Sequence, residues 1–155
     1  MPIDMTPLSS ATLRRLEKAA RAAARNSYSP YSKFRVGSAV LADSGRIYSG
    51  CNVENASYGL CNCAERTAIY AAATAGERKL KAVVVYTPTS APTMPCGACR
   101  QVINEFGPKA LVIGICDSAQ RVERELTMLL PEAFGPQDLI LASAGNSVTR
   151  RKQRA

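Results

Sequence analysis

Histidine is absent from the 155 residues. No Ser–His or Cys–His catalytic pair can therefore form, which excludes many hydrolase mechanisms. Any transition-metal site must instead be dominated by thiolates. Long apolar runs are missing too. No stretch approaches the roughly 18–20 residues that span a bilayer, so no membrane partner is expected. The first ten residues lack the basic-then-apolar pattern of a secretory leader, which makes a cytoplasmic location the expectation. Internal repeats and low-complexity linkers are also missing. What remains is the composition of one globular domain, 46% hydrophobic and 21% charged. It excludes collagen, a coiled coil and bulk disorder.

The net charge is +8, from 20 basic and 12 acidic residues. Part of that excess is local. Arg150, Arg151, Lys152 and Arg154 supply positives with no neighbouring negatives. The chain therefore divides into one domain, residues 1–145, and a basic tail, residues 146–155. The tail reads as a solvated, disordered end, with a phosphate-binding arm as the alternative. Nucleic acid is not the expected partner.

Six cysteines occur, at positions 51, 61, 63, 96, 99 and 116. Three disulfides would need an oxidising compartment and suit a smaller, core-poor domain. Reduced thiols fit this chain better.

The pattern predicts a helix from Pro7 to Arg25, with Thr6 as its N-cap. Phe34–Ala42 and Arg46–Cys51 read as a strand pair joined at Asp43-Ser44-Gly45. Residues 52–62 are polar and irregular. Cys63–Ala75 reads as a buried helix stopped by Gly76. Leu80–Tyr86 and Ala110–Cys116 read as strands, and the run Ala82–Val85 implies burial on both faces. Gly97–Phe106 and Leu126–Leu130 complete the pattern as helices. Such alternation predicts an α/β fold, a three-layer αβα sandwich with a mixed sheet of about five strands.

Two segments carry chemistry. Cys63-Ala64-Glu65 and Pro95-Cys96-Gly97-Ala98-Cys99 each fall at a predicted helix start. Residues three apart on a helix sit about 60° apart on one face, so Cys96 and Cys99 can address one ion. Cys63 can add a third sulfur. Three protein ligands leave one corner of a tetrahedral zinc open to solvent, as in catalytic rather than structural sites. A cap residue is not helical, so Glu65 and Cys63 can share one pocket despite their spacing. The carboxylate then suits a general base. Three thiolates oversupply a divalent ion with charge. Arg66 and Arg100 are expected to donate to the sulfurs and draw that charge off; otherwise both are surface arginines. A redox CxxC leaves Cys63-Ala64-Glu65 unexplained. A structural zinc could recruit Cys61 as a fourth sulfur, and with the basic charge would suit a zinc-stabilised nucleic-acid-binding module.

These segments resemble the small homotetrameric zinc-dependent cytidine deaminases. The likeness is carried by Cys63-Ala64-Glu65 and the Pro95–Cys99 motif. It extends through Tyr31–Phe34 (YSKF), Gly50–Tyr58 (GCNVENASY), Cys63–Ala68 (CAERTA), Pro95–Val102 (PCGACRQV) and Leu129–Phe134 (LLPEAF), spanning about residues 8 to 139. The resemblance implies that Cys63, Cys96 and Cys99 hold Zn²⁺ and that Glu65 shuttles protons. It implies ribose binding by Asn52 and Glu54 and ring packing by Phe34. Ala56 and Tyr58 would lie in a substrate loop partly lent to a neighbouring subunit, and Phe134 would close a neighbour's site. The implied activity is hydrolytic deamination of cytidine and 2′-deoxycytidine in pyrimidine salvage, by a homo-oligomer expected to be a tetramer. Deamination of another cytosine nucleoside, such as blasticidin S, is the nearest alternative. From the residues alone, Asn52 and Glu54 could equally be loop caps, and Phe34 could be core.

Overall fold

A computed structural model describes residues 8–140. Five strands, β1 (Gly37–Ala42), β2 (Ile47–Cys51), β3 (Leu80–Tyr86), β4 (Leu111–Ile115) and β5 (Arg121–Glu125), form one sheet in the order β2-β1-β3-β4-β5. Only β3 and β4 run parallel. The other neighbours are antiparallel, so the sheet is mixed. Among the described residues it is covered by α1 (Ser10–Ala24), α2 (Ala64–Thr74), α3 (Gly97–Phe106) and the short α4 (Leu126–Leu129).

The apolar run in β3 explains the three layers. Val83 and Val85 face a core with Ala68, Ile69 and Ala72 of α2 and Ile103 of α3. Ala82 and Val84 face the opposite core, with Leu16 and Ala20 of α1. Truncating a fully buried residue such as Ile69 to Ala typically costs about 2–5 kcal/mol. Two glycines let the outer layers come close. A Cβ on Gly37 would lie 2.0 Å from the Ala20 carbonyl oxygen in α1. One on Gly50 would lie 2.5 Å from the Ala68 nitrogen in α2. The second contact seats α2, and with it Cys63 and Glu65, directly on β2.

The expected elements are present, with shifted ends. Helix α1 begins at Ser10, because the Ser9 hydroxyl accepts the Thr12 N–H at 3.1 Å. Thr6 and Pro7, expected at that start, lie outside the described residues, as does the basic tail. β1 begins at Gly37 rather than Phe34, because side chains hold the backbone of 34–36 instead of a neighbouring strand. The sheet has the expected five strands, but the segment that forms β5 was not located in the sequence. Its sequence, RVERE, carries four charges, which suits the edge of a sheet and hides a strand from hydropathy. The hairpin turns at Gly45 with φ 85°, and α2 stops at Gly76 with φ 91°. Among the described residues no helix is long and apolar enough to cross a membrane.

Candidate active site

Cys63 and Cys96 are the N-caps of α2 and α3, with extended backbone. Neither sulfur is used to cap its own helix, so both stay available. Cys99 sits one turn into α3 and is buried. The three sulfurs lie within 4.8 Å of one another, and those of Cys63 and Cys96 are 3.9 Å apart. At a zinc–sulfur length of about 2.3 Å, the edge of a tetrahedron is about 3.8 Å. The donor set therefore fits zinc in spacing and in softness. Two helix starts aim their positive ends at this cluster, favouring thiolate.

Cys61 stands apart. Its sulfur accepts the Asn55 N–H at 3.3 Å and is not in the three-sulfur group. A four-sulfur structural site through Cys61 is not what this arrangement offers.

The two arginines diverge. Arg66 donates from Nη2 to Cys63 Sγ at 3.5 Å. Its Nε is buried and, among the described residues, has no partner. The cysteine sulfur holds the guanidinium more firmly protonated. Arg100 does not share that role, contrary to the sequence expectation. Its guanidinium bonds the carbonyl oxygens of Pro95 and Leu129, both at 2.9 Å. It ties α3 to α4 and braces the loop leading into Cys96.

Glu65 is only 4% exposed. Burial raises its carboxyl to about 7, and Cys99 lies within hydrogen-bonding reach. Cys63 is lowered to about 5, chiefly by its hydrogen bond with Cys99 and further by Arg66. The same bond pushes the Cys99 thiol up. The thiolate is thus favoured at Cys63, beside a buried carboxyl whose proton is held more firmly than usual.

Segment 52–54 and the loop carrying Phe34 are joined to the cysteine segment by a small ladder. Val53 and Asn62 exchange backbone hydrogen bonds at 3.0 and 2.9 Å, placing segment 52–54 beside the residue before Cys63. On its other side, Tyr28 N–H donates to Asn52 O at 3.1 Å and Glu54 N–H to Tyr28 O at 2.8 Å. The loop carrying Phe34 is thereby brought alongside.

Asn52 and Glu54 do hold the loop. Asn52 Oδ1 accepts Val36 N–H at 2.9 Å and the Ser27 hydroxyl at 2.5 Å, and Nδ2 donates to Phe34 O at 2.8 Å. Val36 N–H can only donate and Phe34 O can only accept, so the amide has one possible orientation. Glu54 Oε2 accepts the Tyr31 and Ser32 N–H groups at 2.9 and 3.2 Å, and Oε1 accepts the Ser32 hydroxyl. The Ser32 bond, foremost, holds this carboxyl below its usual range. Asn52 retains one N–H and Glu54 about one lone pair. A hydroxyl, donor and acceptor at once, satisfies that pair.

Phe34 is not core, being 42% exposed. Ala56 is exposed, and Tyr58 is 72% exposed with its ring 5.7 Å from that of Tyr31. Phe134 is placed elsewhere, against side chains of α3. Gln101 and Asn104 donate to its carbonyl at 2.9 and 3.3 Å, and it is 59% exposed. Sequence reasoning missed Ser27 and Ser32. A signal was there, since serines in a turn-rich loop commonly bond nearby backbone; their partners Asn52 and Glu54 lay over twenty residues away.

A buried carboxyl beside three soft donors at paired helix starts defines a candidate zinc site with an acid–base group beside it. A profile described as the cytidine and deoxycytidylate deaminase zinc-binding region matches residues 10–115. The cytidine deaminase of Sporosarcina psychrophila is 46% identical over 122 residues, 78% of this chain and 90% of that protein. That of Mycobacterium tuberculosis H37Rv is 47% identical over 117 residues, 76% of this chain and 85% of that protein. The crystal structure of the cytidine deaminase from Burkholderia pseudomallei matches with a TM-score of 0.76 and 45% identity, covering 82% of this chain and 100% of that one. The chain belongs to the cytidine and deoxycytidylate deaminase family.

Proposed function

We propose that the chain hydrolyses cytidine and 2′-deoxycytidine to uridine and 2′-deoxyuridine, with release of ammonia, as a step of pyrimidine salvage. The observation that carries this reading is the Glu65 carboxyl, buried against the three sulfurs. Cys63, Cys96 and Cys99 would hold zinc, which when bound supplies a Lewis acid that makes solvent a nucleophile at neutral pH. Glu65 takes a proton from the attacking water. It passes that proton to ring N3, then takes the proton remaining on the added hydroxyl and gives it to the departing amine as the C4 carbonyl forms. A carboxyl near 7 can do both.

Phe34 packs on the pyrimidine ring. Asn52 and Glu54 take a ribose hydroxyl with their remaining N–H and lone pair. Arg66 draws charge from the Cys63 sulfur. Ala56 and Tyr58 complete the substrate loop. Tyr58, Leu60, Met128 and Phe134 all expose large apolar surface, and such surface supports association with further copies of the chain, as a tetramer in which Tyr58 and Phe134 serve neighbouring sites.

Loss of cytidine absorbance on incubation, compared with cytidine monophosphate, cytosine and blasticidin S, tests the reading. Turnover confined to the free nucleosides is expected. No turnover of cytidine by zinc-loaded protein would overturn it, and preference for blasticidin S would shift it to the neighbouring activity.

A further inference from the structure

The Ser32 hydroxyl joins two groups that the proposed site uses separately. It accepts the Phe34 N–H at 3.0 Å and donates to Glu54 Oε1. A hydroxyl has one proton. An amide N–H can only donate, so that proton is directed to the carboxylate. The relay therefore runs one way, from the Phe34 backbone through Ser32 to Glu54. Asn52 holds the other side of the same residue through the Phe34 carbonyl. Lys33, between them, has φ 59°, a left-handed conformation uncommon for a side chain of its size. The loop bends sharply there, and Phe34 leaves it with both backbone polar groups held by side chains.

We propose that Ser32 is a positioning residue that couples sugar recognition to ring packing. Through its hydroxyl, the carboxylate that takes the ribose also fixes the backbone carrying the aromatic clamp. This rests on the nucleoside reading of the site. The hydrogen bonds of Ser32 go to Glu54 and Phe34 rather than to the sulfurs or Glu65, so its influence falls on substrate binding rather than on the chemical step.

Kinetics with cytidine and amide hydrogen exchange at Phe34 test the coupling together. Hydrogen bonds to charged groups are the stronger kind, so Ser32→Ala is expected to raise KM about tenfold. Expected alongside are a kcat within about twofold, unchanged zinc content and faster exchange at the Phe34 amide. Ser32→Thr keeps the hydroxyl and is expected to restore KM; Ser32→Cys, a poor donor of similar size, is not. In a Glu54→Gln background the further loss from Ser32→Ala is expected to shrink to about twofold or less, as for two residues acting through one contact. Equal fold losses in both backgrounds would overturn the coupling. So would an unchanged Phe34 exchange rate, or a loss confined to kcat. Because exchange is read without substrate, an inactive wild-type protein would remove the nucleoside reading while the exchange result still decided the clamp.

Discussion

The two halves of the site are built on opposite plans. In the sulfur half, functional atoms are presented by helix starts: Cys63 caps α2, Cys96 caps α3, and Glu65 and Cys99 follow within a turn. Backbone holds side chains in place. In the loop half, side chains hold backbone: Asn52, Glu54 and Ser32 bond the N–H and C=O groups of residues 31–36 that no strand pairs. A site resting on helices on a sheet has its geometry set by packing. A site resting on side-chain bonds at an exposed loop gains precision only as each bond is made. Damage to the first should remove chemistry, and damage to the second should weaken binding.

The sharpest break is at the metal. Cys99→Ala removes a buried sulfur from the set of three, and elemental analysis should find the zinc lost together with activity. Glu65→Gln comes next. It keeps the sulfurs and should retain zinc while kcat falls about 10³-fold, within the range for a lost general acid–base group. A near-native rate would contradict the role given to Glu65. Third, Arg66→Gln and Arg100→Gln separate two residues that look alike in sequence. Arg66→Gln should weaken zinc retention about tenfold or more in a chelator competition. Arg100→Gln should leave zinc affinity closer to native and lower thermal stability, because its partners are the Pro95 and Leu129 carbonyls. Equal effects on zinc would dissolve that distinction. The smallest effects belong to the loop half. Glu54→Gln should raise KM about tenfold with little change in unfolding midpoint. Asn52→Ala should raise KM and also cost about 1–3 kcal/mol, because it strands the Val36 N–H and Phe34 C=O. Denaturant unfolding beside steady-state kinetics distinguishes the two.

The same contrast explains what could be read before any coordinates. Cys63 and Cys96 at helix starts were legible because caps are local: a break in pattern, then an apolar helical period. The double-faced burial of β3 was legible because a continuous apolar run admits little else. β5 was not, since an edge strand needs no apolar residues and its partner β4 supplies the pairing. Arg66 and Arg100 each follow a chemistry-bearing residue, so sequence gave them one role. One guanidinium points to sulfur and the other to two carbonyls, a choice made by where α4 lies. Asn52 and Glu54 left loop capping and sugar binding in balance. In the structure capping uses most of each side chain's bonding capacity and leaves one N–H on Asn52 and about one lone pair on Glu54.

Residue order by itself determined the chemistry available: no imidazole, three sulfurs and a carboxylate at two helix starts, and a sheet with apolar faces on both sides. Those are properties of residue type and short-range spacing. Tertiary structure alone decided which groups meet. It left Cys61 with Asn55, turned Arg100 from sulfur to carbonyl and joined Ser32 to both Phe34 and Glu54. Two of these pairings, Arg100 with Leu129 and Ser32 with Glu54, link residues distant in the chain, and their energies arise only once packing has brought them within a few ångströms.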